Sequence, residues 1–190
     1  MKRETTMNVQ AGRKILPNPK RDHIQGPLTA PFKLVEYGDY ECPYCGEAYW
    51  SLQVVEERLG DELCFAFRNF PLVEVHPHAE HAAEAAEAAG AQGRFWEMHD
   101  LLYENQDALE DDDLVQYATA IGLDVPQFVR ELESEAHLPR IQEDFASGVR
   151  AGVRGTPTFF VNGVRHEGDY EPDTLIAALE ATVDVPARAH

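Results

Sequence analysis

Two thiols held two residues apart, Cys42-Pro43-Tyr44-Cys45, carry the clearest chemistry in this sequence. That spacing lets both sulfurs meet within the narrow distances a disulfide needs. The pair is therefore a candidate redox dithiol: a nucleophile attacks a partner disulfide, and its neighbour resolves the mixed disulfide. A second signal lies more than a hundred residues later, in Gly155-Thr156-Pro157-Thr158-Phe159-Phe160-Val161-Asn162-Gly163. A proline has no N–H to donate, so Pro157 belongs at the first residue of a strand or at an edge. Asn162-Gly163 then reads as a tight hairpin turn. CxxC is also half of a zinc site, but no second CxxC or matching His pair follows at finger spacing, and no metal is expected. His76, His78 and His81 fall within six residues of one another and read as a solvated helix end, with a transition-metal site as the alternative.

The elements that must position the dithiol are legible around it. Phe32 to Tyr37 is rich in aromatic and β-branched residues and predicts a strand. Ala48, Leu52, Val55 and Leu59 recur at i, i+4, i+7 and i+11, one face of a helix. Pro43 suits the first turn of that helix, where a missing N–H costs nothing. Cys42 then sits at a helix N-terminus, whose free N–H groups and dipole favour an anion. It is expected to be exposed, with a lowered pKa, and Cys45 to be more buried. Asp39 and Glu41 add negative charge nearby and should temper that effect. Asp61 to Phe70 predicts a second core strand, with Cys64 as a small buried apolar thiol.

From His76 to about Gly152 the pattern turns wholly helical. His78 to Gly90 is alanine-rich. Further helices are marked by Phe95, Met98, Leu101 and Leu102, and by Leu114 to Ile121, for which Asp111, Asp112 and Asp113 are expected to supply the N-cap and first-turn negative charge. Pro126 opens another with Phe128, Val129 and Leu132 on its face, and Pro139 opens the last with Ile141, Phe145 and Val149. Val164 to Glu167 returns as an edge strand, and Pro172 starts a final helix carrying Leu175, Ile176 and Leu179.

The CxxC helix followed by a Thr-Pro strand resembles the thioredoxin superfamily, and the long helical insert resembles its DsbA-like thiol–disulfide oxidoreductases over about Lys33 to Val183. The resemblance implies an α/β thioredoxin fold with an all-helical insertion between the CxxC half and the Thr-Pro strand. Its parts are a flexible extension over 1–23, a core of 24–75 and 153–185, and an insertion over 76–152. It also implies a cis Thr156-Pro157 bond. Cys42 and Cys45 become catalytic, with Thr156, Pro157, Pro43 and Tyr44 facing the substrate. Glu36, six residues before Cys42, matches a buried acid that serves Cys45 as a proton carrier; read from its residues alone it is equally a strand glutamate on an exposed edge. Pro-Tyr is the pair typical of glutaredoxins, so a less oxidising couple than the DsbA type is expected, and the direction (reductase, oxidase or isomerase) stays open. The implied partners are protein thiols and disulfides, with a redox protein or glutathione as co-substrate and no cofactor beyond the Cys42–Cys45 disulfide.

Two other readings share the architecture. Kappa-class glutathione transferases and 2-hydroxychromene-2-carboxylate isomerases bind glutathione, yet usually carry serine in place of the first thiol and lack the second. A redox-sensing, peptide-binding module is the other, and a similar sequence occurs fused to sodium/proton antiporters.

Bulk properties narrow the rest. Hydrophobic residues make up 44% of the chain and no apolar run is long enough to span a bilayer, so no membrane insertion is expected. Met1 to Asn8 carries charge with no apolar stretch behind it, which predicts no signal peptide and a cytoplasmic location. The net charge is −18, but residues 1–23 carry six Lys/Arg against Glu4 and Asp22, which leaves −22 on the remainder. So acidic a body is a poor nucleic-acid partner. The acidity reads as a solvating surface, with selection of basic partners as the alternative, and the basic leader as a tail rather than a binding arm.

Overall fold

The computed structural model describes residues 14–182. The expectations of a loose leader before residue 14 and of a frayed tail after Val183 lie outside the described residues. Five strands form one sheet in the order β1-β3-β2-β4-β5. β2 (Phe32–Gly38) and β3 (Leu63–Asn69) pair in parallel at its centre, linked by α1 (Pro43–Leu59). Both are buried almost throughout, as central parallel strands covered on two faces should be. β1 (His23–Gln25) adds antiparallel to β3, while β4 (Thr158–Val161) lies antiparallel to β2. β4 returns through Asn162 (φ 48°) and Gly163 (φ 89°) to β5 (Val164–Arg165), the two-residue left-handed turn that Asn-Gly favours.

Between β3 and β4 run five helices: α2 (Ala79–Ala91), α3 (Phe95–Glu104), α4 (Asp111–Ala120), α5 (Val125–Glu133) and α6 (Leu138–Arg150). The chain closes on α7 (Pro172–Ala181). This is the thioredoxin fold with the helical insertion that the resemblance implies. Successive strand residues face opposite sides. Leu34 joins the large cluster with Ala48, Leu52 and Val55 of α1, Met98 and Leu102 of α3, and Leu175 and Leu179 of α7. Val35 and Tyr37 face the other way, into a smaller cluster with Ala66, Phe70, Val153 and Phe160. Among the described residues no helix is long and apolar enough to cross a membrane.

Three expectations need correcting. The segment from Lys14 to Asp22, read as part of a flexible extension, is tied to the sheet. Arg68 of β3 donates to Asp22 at 3.0 and 2.8 Å and to the Leu16 carbonyl at 3.1 Å, and the Ile15 N–H donates to Gly163 O at 3.1 Å. A buried guanidinium requires such partners, and the leader supplies them. α4 is capped by Glu110, whose side chain and that of Asp113 form a reciprocal capping box, so Asp111 already lies inside the helix. α6, finally, is rotated from its apolar stripe. Ile141 is buried, but Phe145 is 37% and Val149 55% exposed, and the helix turns Asp144, Ser147 and Gly148 inward. Gly148 allows this approach: a Cβ there would stand 2.7 Å from the Phe70 ring. Asp144 is drawn in by Arg21, by Arg140 at 2.7 Å and by the Asn69 N–H at 3.2 Å.

Candidate active site

β2 ends at Gly38, and the chain passes through Asp39, Tyr40 and Glu41 into α1. Cys42 is the N-cap, with extended φ/ψ of −72° and 120°, and Pro43 opens the helix. The Cys45 and Gly46 N–H groups donate to the Cys42 carbonyl at 3.0 and 3.1 Å and close the first turn. A second clamp comes from the insertion. Nε2 of Gln106, just past α3, donates to the carbonyls of Tyr40 at 2.8 Å and Cys42 at 2.9 Å. Gly46 makes room for that side chain, since a Cβ would fall 2.1 Å from Gln106 Oε1.

The strand-entry corner closes the site from the far side. The Thr156-Pro157 peptide is cis, and the Thr156 carbonyl lies 3.5 Å from Cys42 Sγ. Cys42 is therefore only 3% exposed, against the expectation of an exposed thiol, because this corner covers it. Pro43 and Tyr44 remain at the surface, Tyr44 at 61% exposure. All three cysteines are free thiols, and Cys64 lies in the inner strand β3, paired in register with Lys33.

The two thiols are electrostatically unequal. The Cys42 thiol is held down to about 5, chiefly by the hydrogen bond from Cys45, with Thr156 and the backbone N–H groups of Cys45 and Tyr44 adding to it against partial burial. The Thr156 hydroxyl is buried with no other partner, and so is available to a thiolate. Burial, the bond to Cys42 and the nearby Glu36 push Cys45 well up. One sulfur is thus a thiolate at neutral pH and the other a thiol.

Glu36 is 1% exposed, paired between Phe67 of β3 and Phe159 of β4, so it sits in the middle of the sheet and not at an exposed edge. Its Oε1 has no partner. Burial first, then the charges of Cys42 and Glu56, raise it to about 8. A buried, unpartnered carboxyl in the field of both sulfurs is placed to hold or pass a proton.

Two residues emerge that the sequence did not single out for this role. Gln106 is one. His76 is the other, read above as solvated and in fact bonded through Nδ1 to Asp39 Oδ2 at 2.8 Å. Burial opposes its charge, but Asp39 and then Cys42 outweigh it and favour the imidazolium. Asp39 also accepts the N–H groups of Glu41 and Leu72, each at 2.8 Å. Glu41 in turn accepts the His78 N–H at 2.6 Å. The two flanking carboxylates are thereby engaged elsewhere, and His76, from the connection after β3, brings to this side of the site an imidazole whose charged form is favoured. The only signal for it in sequence was the histidine cluster itself. His78 and His81 reach Glu110 and Asp111 instead, and no group of metal ligands forms among the described residues.

Comparison with known proteins agrees with this geometry. A family model described as thioredoxin matches residues 18–181. The Na(+)/H(+) antiporter NhaA 1 of Mycobacterium sp. (strain KMS) is 47% identical over 166 residues, 86% of this chain but 27% of that protein. The chain thus spans about a quarter of the length of the curated relatives it matches. Among solved structures, BdbD from Bacillus subtilis (oxidised) superposes with a TM-score of 0.78 at 22% identity, over 90% of this chain and 97% of that one. A thioredoxin-like oxidoreductase from Silicibacter pomeroyi gives 0.76 at 26% identity, over 86% and 92%.

Proposed function

The chain belongs to the thioredoxin family, and from that premise we propose that it is a DsbA-like thiol–disulfide oxidoreductase that exchanges disulfides with protein substrates through Cys42 and Cys45. The observation that carries this reading is the unequal pair: a Cys42 thiolate with a pKa of about 5, beside a protonated Cys45 and under the Thr156 carbonyl. The Cys42 thiolate attacks one sulfur of a substrate disulfide, a new S–S bond forms, and the departing substrate sulfur leaves as a thiolate and takes a proton from water. Cys45 then loses its proton and attacks Cys42 Sγ. The second substrate thiol leaves reduced, and the Cys42–Cys45 disulfide remains. The reverse sequence donates a disulfide.

Glu36 fits the second step. While Cys42 is a thiolate its charge helps keep Glu36 protonated. Once Cys42 is tied in a mixed disulfide that charge is gone, Glu36 ionises more readily, and a base becomes available when Cys45 must be deprotonated. The backbone at Thr156, with Pro157, Pro43 and the exposed Tyr44, forms the surface that a substrate strand would meet. The insertion helices, over 76–152, form the wall beside it.

The test is a trap. Cys45→Ala should accumulate a mixed disulfide with a cystine-containing peptide on Cys42, detected as an intact-mass adduct, and Cys42→Ser should give none. An adduct that forms equally on Cys42→Ser would refute the assignment of the nucleophile. The likeness to a segment of a sodium/proton antiporter favours a second reading, in which the same dithiol is the redox sensor of a transporter. Partner binding that survives replacement of both cysteines by serine would select it.

A further inference from the structure

The acidic molecule carries one strongly cationic cavity, on the sheet face opposite α1 and apart from the dithiol chemistry. It has a volume of about 360 Å³ and is walled by Lys14, Ile15, Leu16 and Asn18 of the leader, by Arg21 and Arg68, and by Ser147, Arg150 and Ala151 at the end of α6. Four cations and no carboxylate line it, in a chain of net charge −18. Behind the wall, Asp22 pairs with Arg68, Asp144 pairs with both Arg21 and Arg140, and Glu143 lies 3.9 Å from Arg21. Lys14 and Arg150 make no ion pair among the described residues, which leaves an excess of about two positive charges facing the cavity.

We propose that this cavity binds the dianionic phosphate group of a phosphorylated ligand. Doubly charged phosphate matches the charge excess, and guanidinium groups suit its oxygens because their planar N–H pairs donate in parallel. Arg68 gives the site a fixed floor: it is 4% exposed and locked by Asp22, Tyr37 and Leu16. The cavity exceeds a lone phosphate, and its remaining wall joins the polar Asn18 and Ser147 to the apolar Ile15, Leu16 and Ala151. Leu16 in that wall is 42% exposed, and Val149, next to Arg150 in the chain, and Val164 are 55% and 58% exposed. Val164 adjoins Gly163, where a Cβ would touch Lys14 and Leu16. The ligand is therefore a phosphate on a partly apolar body, which a free phosphomonoester and a phospholipid headgroup share. The arrangement also accounts for the ordered leader, since Lys14 and Arg21 are in place only when residues 14–22 are held against β3.

Inorganic phosphate, titrated calorimetrically in chloride buffer, and flotation with phosphatidylcholine vesicles containing phosphatidate test this. Lys14→Glu and Arg150→Glu are the variants, both at exposed, unpaired positions, and unchanged thermal unfolding verifies that they fold. Wild type should bind phosphate, and each reversal should weaken it by about tenfold or more. Vesicle binding that phosphate competes away assigns the headgroup. Phosphate binding without vesicle binding assigns a free phosphomonoester. Absence of both, or affinity unchanged in both variants, overturns the proposal.

Discussion

At the scale of single residues the account rests on three titrating groups that share one buried environment. Cys42 is stabilised as an anion by hydrogen bonds, Cys45 is destabilised as one by burial, and Glu36 is kept neutral by burial and by Cys42 itself. Glu36 makes a prediction about stability as well as rate. Its folded pKa of about 8 lies above its ordinary 4.5. The folded state therefore holds its proton more tightly than the unfolded chain, and stability from this group is full below pH 4.5 and lost as pH rises toward 8. At 1.36 kcal/mol per unit the loss is on the order of 5 kcal/mol. Glu36→Gln should flatten that decline, giving a reduced protein more resistant to urea than wild type at pH 8.5 and little changed at pH 4. The same variant should slow resolution of the mixed disulfide by about 100-fold. A Glu36→Gln protein whose stability falls with pH as steeply as wild type would remove Glu36 from this role. The dithiol and the Thr-Pro corner were legible at this scale because their residue types and spacing encode the chemistry locally. The charge state of Glu36 and the partner of His76 were not, since both depend on chain segments distant in sequence.

At the scale of elements the sequence was most informative where apolar periodicity and core packing coincide. β2, β3, β4 and α1 fall where the patterns place them, and five helices occupy the insertion. α6 departs because its partners are polar. Asp144, Ser147 and Gly148 are positioned by Arg21, Arg140, Asn69, Tyr37 and Phe70, and a stripe of apolar letters carries no trace of such contacts. Gln106 belongs to the same category, as a turn residue whose value lies in two backbone carbonyls of another element. Gln106→Ala should remove a donor from both carbonyls, leaving Cys42 O only its helical N–H partners, and destabilise the reduced protein by about 1–3 kcal/mol. It should also weaken the hold on the first turn of α1, seen as faster amide exchange at Cys45 and Gly46. Unaltered exchange at both amides would show that the insertion does not support the active-site turn.

At the scale of the whole molecule, the parts join into one linkage between protons and electrons. The acidic surface was plain from composition, but composition concealed a cationic cavity whose charges come from the leader, β3 and α6. The fold supplies the rest: a helix N-terminus and the Thr156 loop fix the Cys42 thiolate, and the sheet buries Glu36 beneath it. The most direct measurement is the midpoint potential of the Cys42–Cys45 couple against pH, in glutathione and dithiothreitol buffers, with each thiol state read by mass spectrometry. In Glu36→Gln only the two thiols titrate, with Cys42 ionised and Cys45 protonated, so reduction takes up one proton for two electrons; in wild type the new Cys42 thiolate also draws a proton onto Glu36. A reversible Cys42–Cys45 disulfide is expected with Cys64 reduced throughout, and in Glu36→Gln a slope of about −30 mV per pH unit between roughly pH 5 and 7 that steepens toward about −60 mV below pH 5, with wild type steeper than the variant near neutrality. A slope near −60 mV through neutrality in Glu36→Gln, identical slopes in variant and wild type, or thiols that never form a reversible disulfide would contradict this.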